Sequence, residues 1–91
     1  MTRYKQNRRL AYLITSPKGF LTDLWAGNAA WSCAAQQAID SGMAWLDLTT
    51  AKQKCAECQA LLPEVLLSLT LVEFIKEGSS WKPIHQQGAK L

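Results

Sequence analysis

At 91 residues and 10.1 kDa the chain has room for one domain. A hydrophobic fraction of 48% beside 19% charged residues excludes wholesale disorder, and five Gly, three Pro and no sustained heptad exclude collagen-like and coiled-coil classes. The net charge of +3 is unevenly spread: residues 1–18 carry Arg3, Lys5, Arg8, Arg9 and Lys18 without an acid, whereas all seven carboxylates fall within residues 19–77. A basic start on an acidic body can meet nucleic acid phosphates, an acidic protein, or the body itself.

The longest uncharged stretch runs from Leu24 to Ile39. Asn28, Ser32, Gln36 and Gln37 interrupt it, and it falls short of the roughly 20 apolar residues of a membrane span. The apolar run Leu10–Ile14 after the basic residues is too short for a secretory signal, which needs about 7–15 apolar residues. Three cysteines cannot close into a complete disulfide set. These features point to a cytoplasmic protein without a membrane partner.

In chain order, residues 1–15 read as a basic N-terminal arm, residues 16–78 as a helical core and residues 79–91 as a polar tail. Ser16-Pro17 offers an N-cap and a first-turn proline, and Phe20, Leu21, Leu24 and Trp25 recur on one helical face as far as Gly27. Asn28 can cap a second helix on which Trp31, Ala34, Ala35, Ala38 and Ile39 align, ending at Ser41-Gly42. Met43–Leu48 is a short apolar connector. A third helix, capped by Thr49 or Thr50, runs through Leu62 with Ala51, Cys55, Cys58 and Leu62 on its narrow apolar face, and Pro63 ends it.

Residues Glu64–Glu77 carry apolar side chains around most of a helical circumference, with Gly78 as a C-cap. A strand competes for this segment, because Leu67, Leu69 and Leu71 alternate with Ser68 and Thr70. The excess of leucine over β-branched residues and the length of about fourteen residues favour the helix. The tail from Gly78-Ser79-Ser80 has no period and reads as irregular. The expected architecture is all-α: a compact bundle of about four helices with irregular basic ends.

Cys55-Ala-Glu-Cys58 is the one pattern with a chemical reputation. Redox chemistry wants such a pair at a helix N-terminus after a strand, and zinc would need Cys33 and His85 to complete four ligands. Both cysteines lie on the stripe of Ala51 and Leu62, so core packing is the expected role, with no metal and no cofactor. His85, the single histidine, has no nucleophile or acid motif beside it, and no catalytic residue is assigned. Trp25 and Trp31 belong to apolar faces and so to the core, and Trp45 is ambiguous. Trp81 lies outside any period and either plugs the bundle or anchors an interface.

The functional expectation is a small, non-enzymatic protein-binding regulator, adaptor or inhibitor acting on a larger cytoplasmic protein, with Arg3, Lys5, Arg8, Arg9, Trp81 and Ile84 as partner-binding residues. Size and lack of familiar motifs fit a phage or plasmid protein. The alternative is a nucleic-acid-binding transcriptional regulator, built on a helix-turn-helix-like pair over residues 17–26 and 29 onward plus the basic arm. That second helix offers Ser32, Gln36 and Gln37 but no Arg or Lys for the phosphate backbone. A second copy of the chain is a further candidate partner.

Overall fold

A hydrogen-bonded antiparallel sheet dominates the chain, and it overturns the expected all-α bundle. The computed structural model describes residues 8–84. The elements are β1 (Arg8–Ser16), β2 (Gly19–Trp25), β3 (Asn28–Ser32), α1 (Ala35–Asp40), β4 (Ala44–Trp45), α2 (Leu48–Leu61), β5 (Ser68–Glu77) and β6 (Ser80–Pro83). The strand order is β3-β2-β1-β5-β6, and β4 pairs with β1 through Tyr12–Trp45 and Leu13–Ala44. Residues 8–15 are therefore the central strand rather than an arm, residues 16–78 are not a helical core, and Ser80–Pro83 is a strand rather than irregular tail. Arg3, Lys5 and His85 lie outside the described residues.

Strand β1 pairs with β5 from Arg8–Ile75 to Thr15–Ser68, and the residues so joined are 53 or more positions apart in sequence. Period-2 alternation then sorts their side chains onto two faces. Ala11 and Leu13 of β1 and Phe74 of β5 pack against Ala35 and Ala38 of α1 on one face. Ile14 and Leu21 pack with Cys58 of α2 and Leu67 on the other. Because both faces are covered along its middle, β1 reads as the unbroken apolar run Leu10–Ile14 rather than as an alternating strand.

The residues read as helix boundaries are turn residues instead. Pro17-Lys18 links β1 to β2, the Ser16 hydroxyl accepting from the Lys18 N–H at 2.9 Å, so the proline fixes a turn rather than a first helical position. Ala26-Gly27 joins Trp25 to its partner Asn28 with φ of 51° and 80°, a two-residue turn with both central residues left-handed. Gly78-Ser79 joins Glu77 to Ser80 with Gly78 at φ 66°, which places glycine where a hairpin of this length needs it. In β2 the register slips by one residue at Thr22, whose hydroxyl donates to the Ala30 carbonyl at 3.1 Å. This bulge brings Leu21 and Leu24 into the same cluster, although strict alternation would separate them. The spacing Phe20, Leu21, Leu24, Trp25 therefore imitates a helical face.

Ala26 is the one non-glycine residue with positive φ among those described. An L-residue in that conformation carries a penalty of about 1–2 kcal/mol, least for Asn. Ala26→Asn should therefore raise stability by about 1 kcal/mol, read as a higher thermal midpoint of the full chain.

One helix lies where the sequence reading places it, although its N-cap is Asp47 rather than Thr49 or Thr50, which fall inside its first turn. The Asp47 carboxylate accepts from the Thr50 N–H at 2.8 Å as N-cap of α2, Ala51 and Cys58 are buried along it, and the helix ends before Pro63. The second expected helix survives only as α1, because Asn28–Ser32 is an edge strand. The Glu64–Glu77 helix is replaced by β5: the strand alternative prevails because pairing with β1 satisfies its backbone and leucine propensity is overridden by tertiary context. Gln59 of α2 fixes the entry to β5, donating to the Leu62 and Val65 carbonyls at 2.8 and 2.6 Å and accepting from the Leu67 N–H at 3.3 Å.

Candidate functional site

The face that carries α1 leaves an open groove beyond the helix. Alternation directs Arg9 and Ala11 of β1, Phe74 and Lys76 of β5 and Trp81 of β6 to this face, since Arg9 pairs with Phe74 and Lys76 with Trp81 across the ladders. Ile39 of α1, Ala44 of β4 and Leu46 complete a groove of ≈ 370 Å³. Its floor is apolar: Phe74 is fully buried and Ala11 nearly so, while Leu46 stays 58% exposed at the rim. The Arg9 guanidinium lies 5.4 Å from the centroid of a Trp81 ring and the Lys76 ammonium 5.8 Å from it. Both cations are thus held over one indole, an attraction of about 0.5–1 kcal/mol each at such exposure.

The same alternation sends the acids of β5 the other way. Glu73 accepts from Arg8 at 3.5 Å on the opposite face, and Glu77 lies 3.9 Å from Lys82. No carboxylate lines the groove among the described residues. The cations are therefore left uncompensated on one side of a sheet that is charge-balanced on the other.

The backbone around Trp81 is also arranged. Ile84 N–H donates to the Glu73 carbonyl at 3.0 Å, continuing the β5–β6 ladder past Pro83. The Trp81 carbonyl accepts from the Gln36 side-chain amide of α1 at 2.9 Å, and the same amide donates to Asp40 Oδ1 at 2.8 Å. Pro83 has no N–H to offer. Strand β6 is an edge strand on which the Trp81 carbonyl is thus occupied and the Pro83 donor missing, a partial protection against adding another strand.

Of the residues singled out from the sequence, the fold brings Arg9 and Trp81 together and separates the rest. Arg8 and Ile84 fall on the opposite face beside Glu73, so Trp81–Ile84 is not a one-sided docking segment. Lys76 was not singled out; reading Gly78-Ser79 as a two-residue hairpin would have placed it opposite Trp81. Trp25 is a second omission. Its helical-face spacing predicts a core position, yet it is 74% exposed beside the β2–β3 turn, whereas Trp31 packs against the α2-side cluster. The helix-turn-helix pair does not exist, since its residues form the β2–β3 hairpin before α1. Among the described residues no helix is long and apolar enough to cross a membrane.

Cys55 is partly buried and Cys58 buried within α2, while Cys33 is exposed. No group of three or more His, Cys, Asp or Glu among the described residues is placed to hold a metal ion. Burial pushes both α2 thiols up in pKa; the Cys55 and Glu57 charges push Cys58 up further against a weaker opposite pull from Lys54. A thiol that ionises less readily folded than unfolded contributes stability fully below the ordinary thiol range and loses it as pH rises through the folded value. Two outcomes follow: a disulfide reagent should modify Cys33 first and Cys58 last, and the urea midpoint should fall at alkaline pH less steeply in Cys58→Ala than in the native chain. No known protein family, curated protein or solved structure matches this chain.

Proposed function

We propose that the chain is a non-enzymatic protein-binding module, a regulator, adaptor or inhibitor of a larger protein, that engages its partner through the groove between α1 and β6. One observation carries this reading: Arg9 and Lys76 are both poised over Trp81 at the rim of an apolar floor. Tryptophan and arginine are the residue types that dominate interface energies, and they do so when grouped in a pocket rimmed by polar contacts. A shallow apolar site rimmed by these side chains suits recognition of another protein.

The test is selection of a displayed random peptide library on the full chain. Enriched peptides should bind the native chain and lose at least about tenfold in affinity on Trp81→Ala, a loss of about 1.4 kcal/mol, while Trp25→Ala leaves binding unchanged. Circular dichroism of both variants establishes that they fold. The reading is overturned if the library yields no binder, or if the enriched peptides bind Trp81→Ala as tightly as the native chain.

A further inference from the structure

We infer that the segment entering the groove is acidic, with one large apolar side chain flanked by Asp or Glu, and that side-chain docking rather than strand addition seats it. This rests on the protein-binding reading above and specifies its partner. The register separates the charges: Arg9 and Lys76 point to the groove face, whereas Glu73 and Glu77 lie on the other face beside Arg8 and Lys82. The other two carboxylates adjacent in the chain to lining residues are engaged elsewhere: Asp40, next to Ile39, accepts from the Gln36 amide, and Asp47, next to Leu46, accepts from the Thr50 N–H and hydroxyl. An anionic segment thus finds two cations without displacing an internal carboxylate partner, and a cationic one meets uncompensated like charge.

Size and edge chemistry narrow the geometry. A volume of ≈ 370 Å³ lies near the lower end of ligand pockets, which run from about 300 to 1,000 Å³, so it admits one anchor residue rather than the face of a helix. Entry by pairing with β6 is disfavoured, because the Gln36 amide holds the Trp81 carbonyl and Pro83 lacks a donor, so an added strand would lose half of the bonds that the Trp81 and Pro83 backbone could offer it. What is left for recognition is the apolar floor for the anchor and the stacked cations for its neighbours. Stacking on the indole keeps Arg9 and Lys76 near the rim before the partner arrives, which lowers the entropy lost on binding.

The experiment uses the full chain and four fluorescein-labelled short peptides, read by anisotropy: phenylalanine or leucine flanked by Asp and Glu, the same anchor flanked by Asn and Gln, the same anchor flanked by Lys, and the acidic flanks around alanine. The acidic anchored peptide should bind about tenfold tighter than the amide-flanked one at about 0.15 M salt, with an advantage that shrinks as salt rises. The Lys-flanked and alanine peptides should bind weakest. In the double variant Arg9→Glu with Lys76→Glu, two exposed-rim changes that leave the apolar floor intact, the preference should reverse toward Lys flanks. Equal affinity for acidic and amide flanks, with binding still lost on Trp81→Ala, would overturn the acidic partner and leave the module reading standing. Absence of binding by all four peptides, together with an empty library selection, overturns both.

Discussion

Phe74→Ala is expected to lower the unfolding free energy by about 4 kcal/mol, measured by urea denaturation of the full chain. Phe74 is fully buried in β5, and its ring joins Ala11 and Leu13 of β1 to Ala35 and Ala38 of α1. Those neighbours are small: three of the four are alanines. The alanines cannot rearrange to fill the space that a ring leaves, and the larger Ile39, Val72 and Trp81 pack against the cluster only from its partly buried margin, so much of the cavity should persist, which is the situation in which truncation is most damaging. A domain of this size has about 5–15 kcal/mol of stability in all, so the loss is a large share of it. The groove floor is formed by the same ring, and anchor binding should weaken in parallel. An unfolding free energy within about 0.5 kcal/mol of the native chain's would show that Phe74 is not the centre of the α1-side core.

The second large effect is expected at the β1–β2 turn. Gly19 has φ +125°, and a Cβ there would sit 2.6 Å from the Ser32 carbonyl oxygen and 3.1 Å from its carbon. Both are backbone atoms of β3, at the position that pairs with Phe20, so neither can move without disturbing the β2–β3 ladder. Gly19→Ala should therefore cost about 2–4 kcal/mol, from the disfavoured φ and the clash together. Gly27→Ala separates the two contributions. Gly27 has φ +80° with no atom within 4 Å of an added Cβ, so its alanine variant should show the conformational penalty alone, about 1–2 kcal/mol. Equal losses at the two positions would mean that the approach of Ser32 to Gly19 contributes nothing.

The way β2 and β5 differ from their sequence readings shows what local pattern can hide. In β2 the bulge at Thr22 gives a strand the i, i+1, i+4, i+5 spacing of a helix face. In β5 the alternation of Leu67, Leu69 and Leu71 with Ser68 and Thr70 was visible, but it gives way to a more continuous apolar run once Val72, Phe74 and Ile75 follow. That run is the mark of a strand with side chains packed on both faces, and by composition alone it is indistinguishable from a buried helix. The site was half legible. Arg9 and Trp81 stood out by residue type, whereas Lys76 gained its place only from the register of β5 with β6.

What the sequence determined by itself is where one helix lies and most of the places where elements break, the break at Cys33-Ala34 between β3 and α1 excepted. Ser16-Pro17, Gly27, Gly42, Pro63 and Gly78 all fall at ends or turns, because proline fixes φ and lacks a donor, while the glycines at 27, 42 and 78 adopt positive φ. Helix α2 is legible because its narrow apolar stripe and its terminating proline are local, although its cap is Asp47 rather than Thr49 or Thr50. Whether the other segments became helices or strands was decided by tertiary pairing. A helix satisfies its backbone within a few residues, but β1 and β5 satisfy theirs only with each other, across 53 or more positions of chain. That pairing also chooses which side chains share a face, and so it sends Arg9, Lys76 and Trp81 to one side and Arg8, Glu73 and Glu77 to the other.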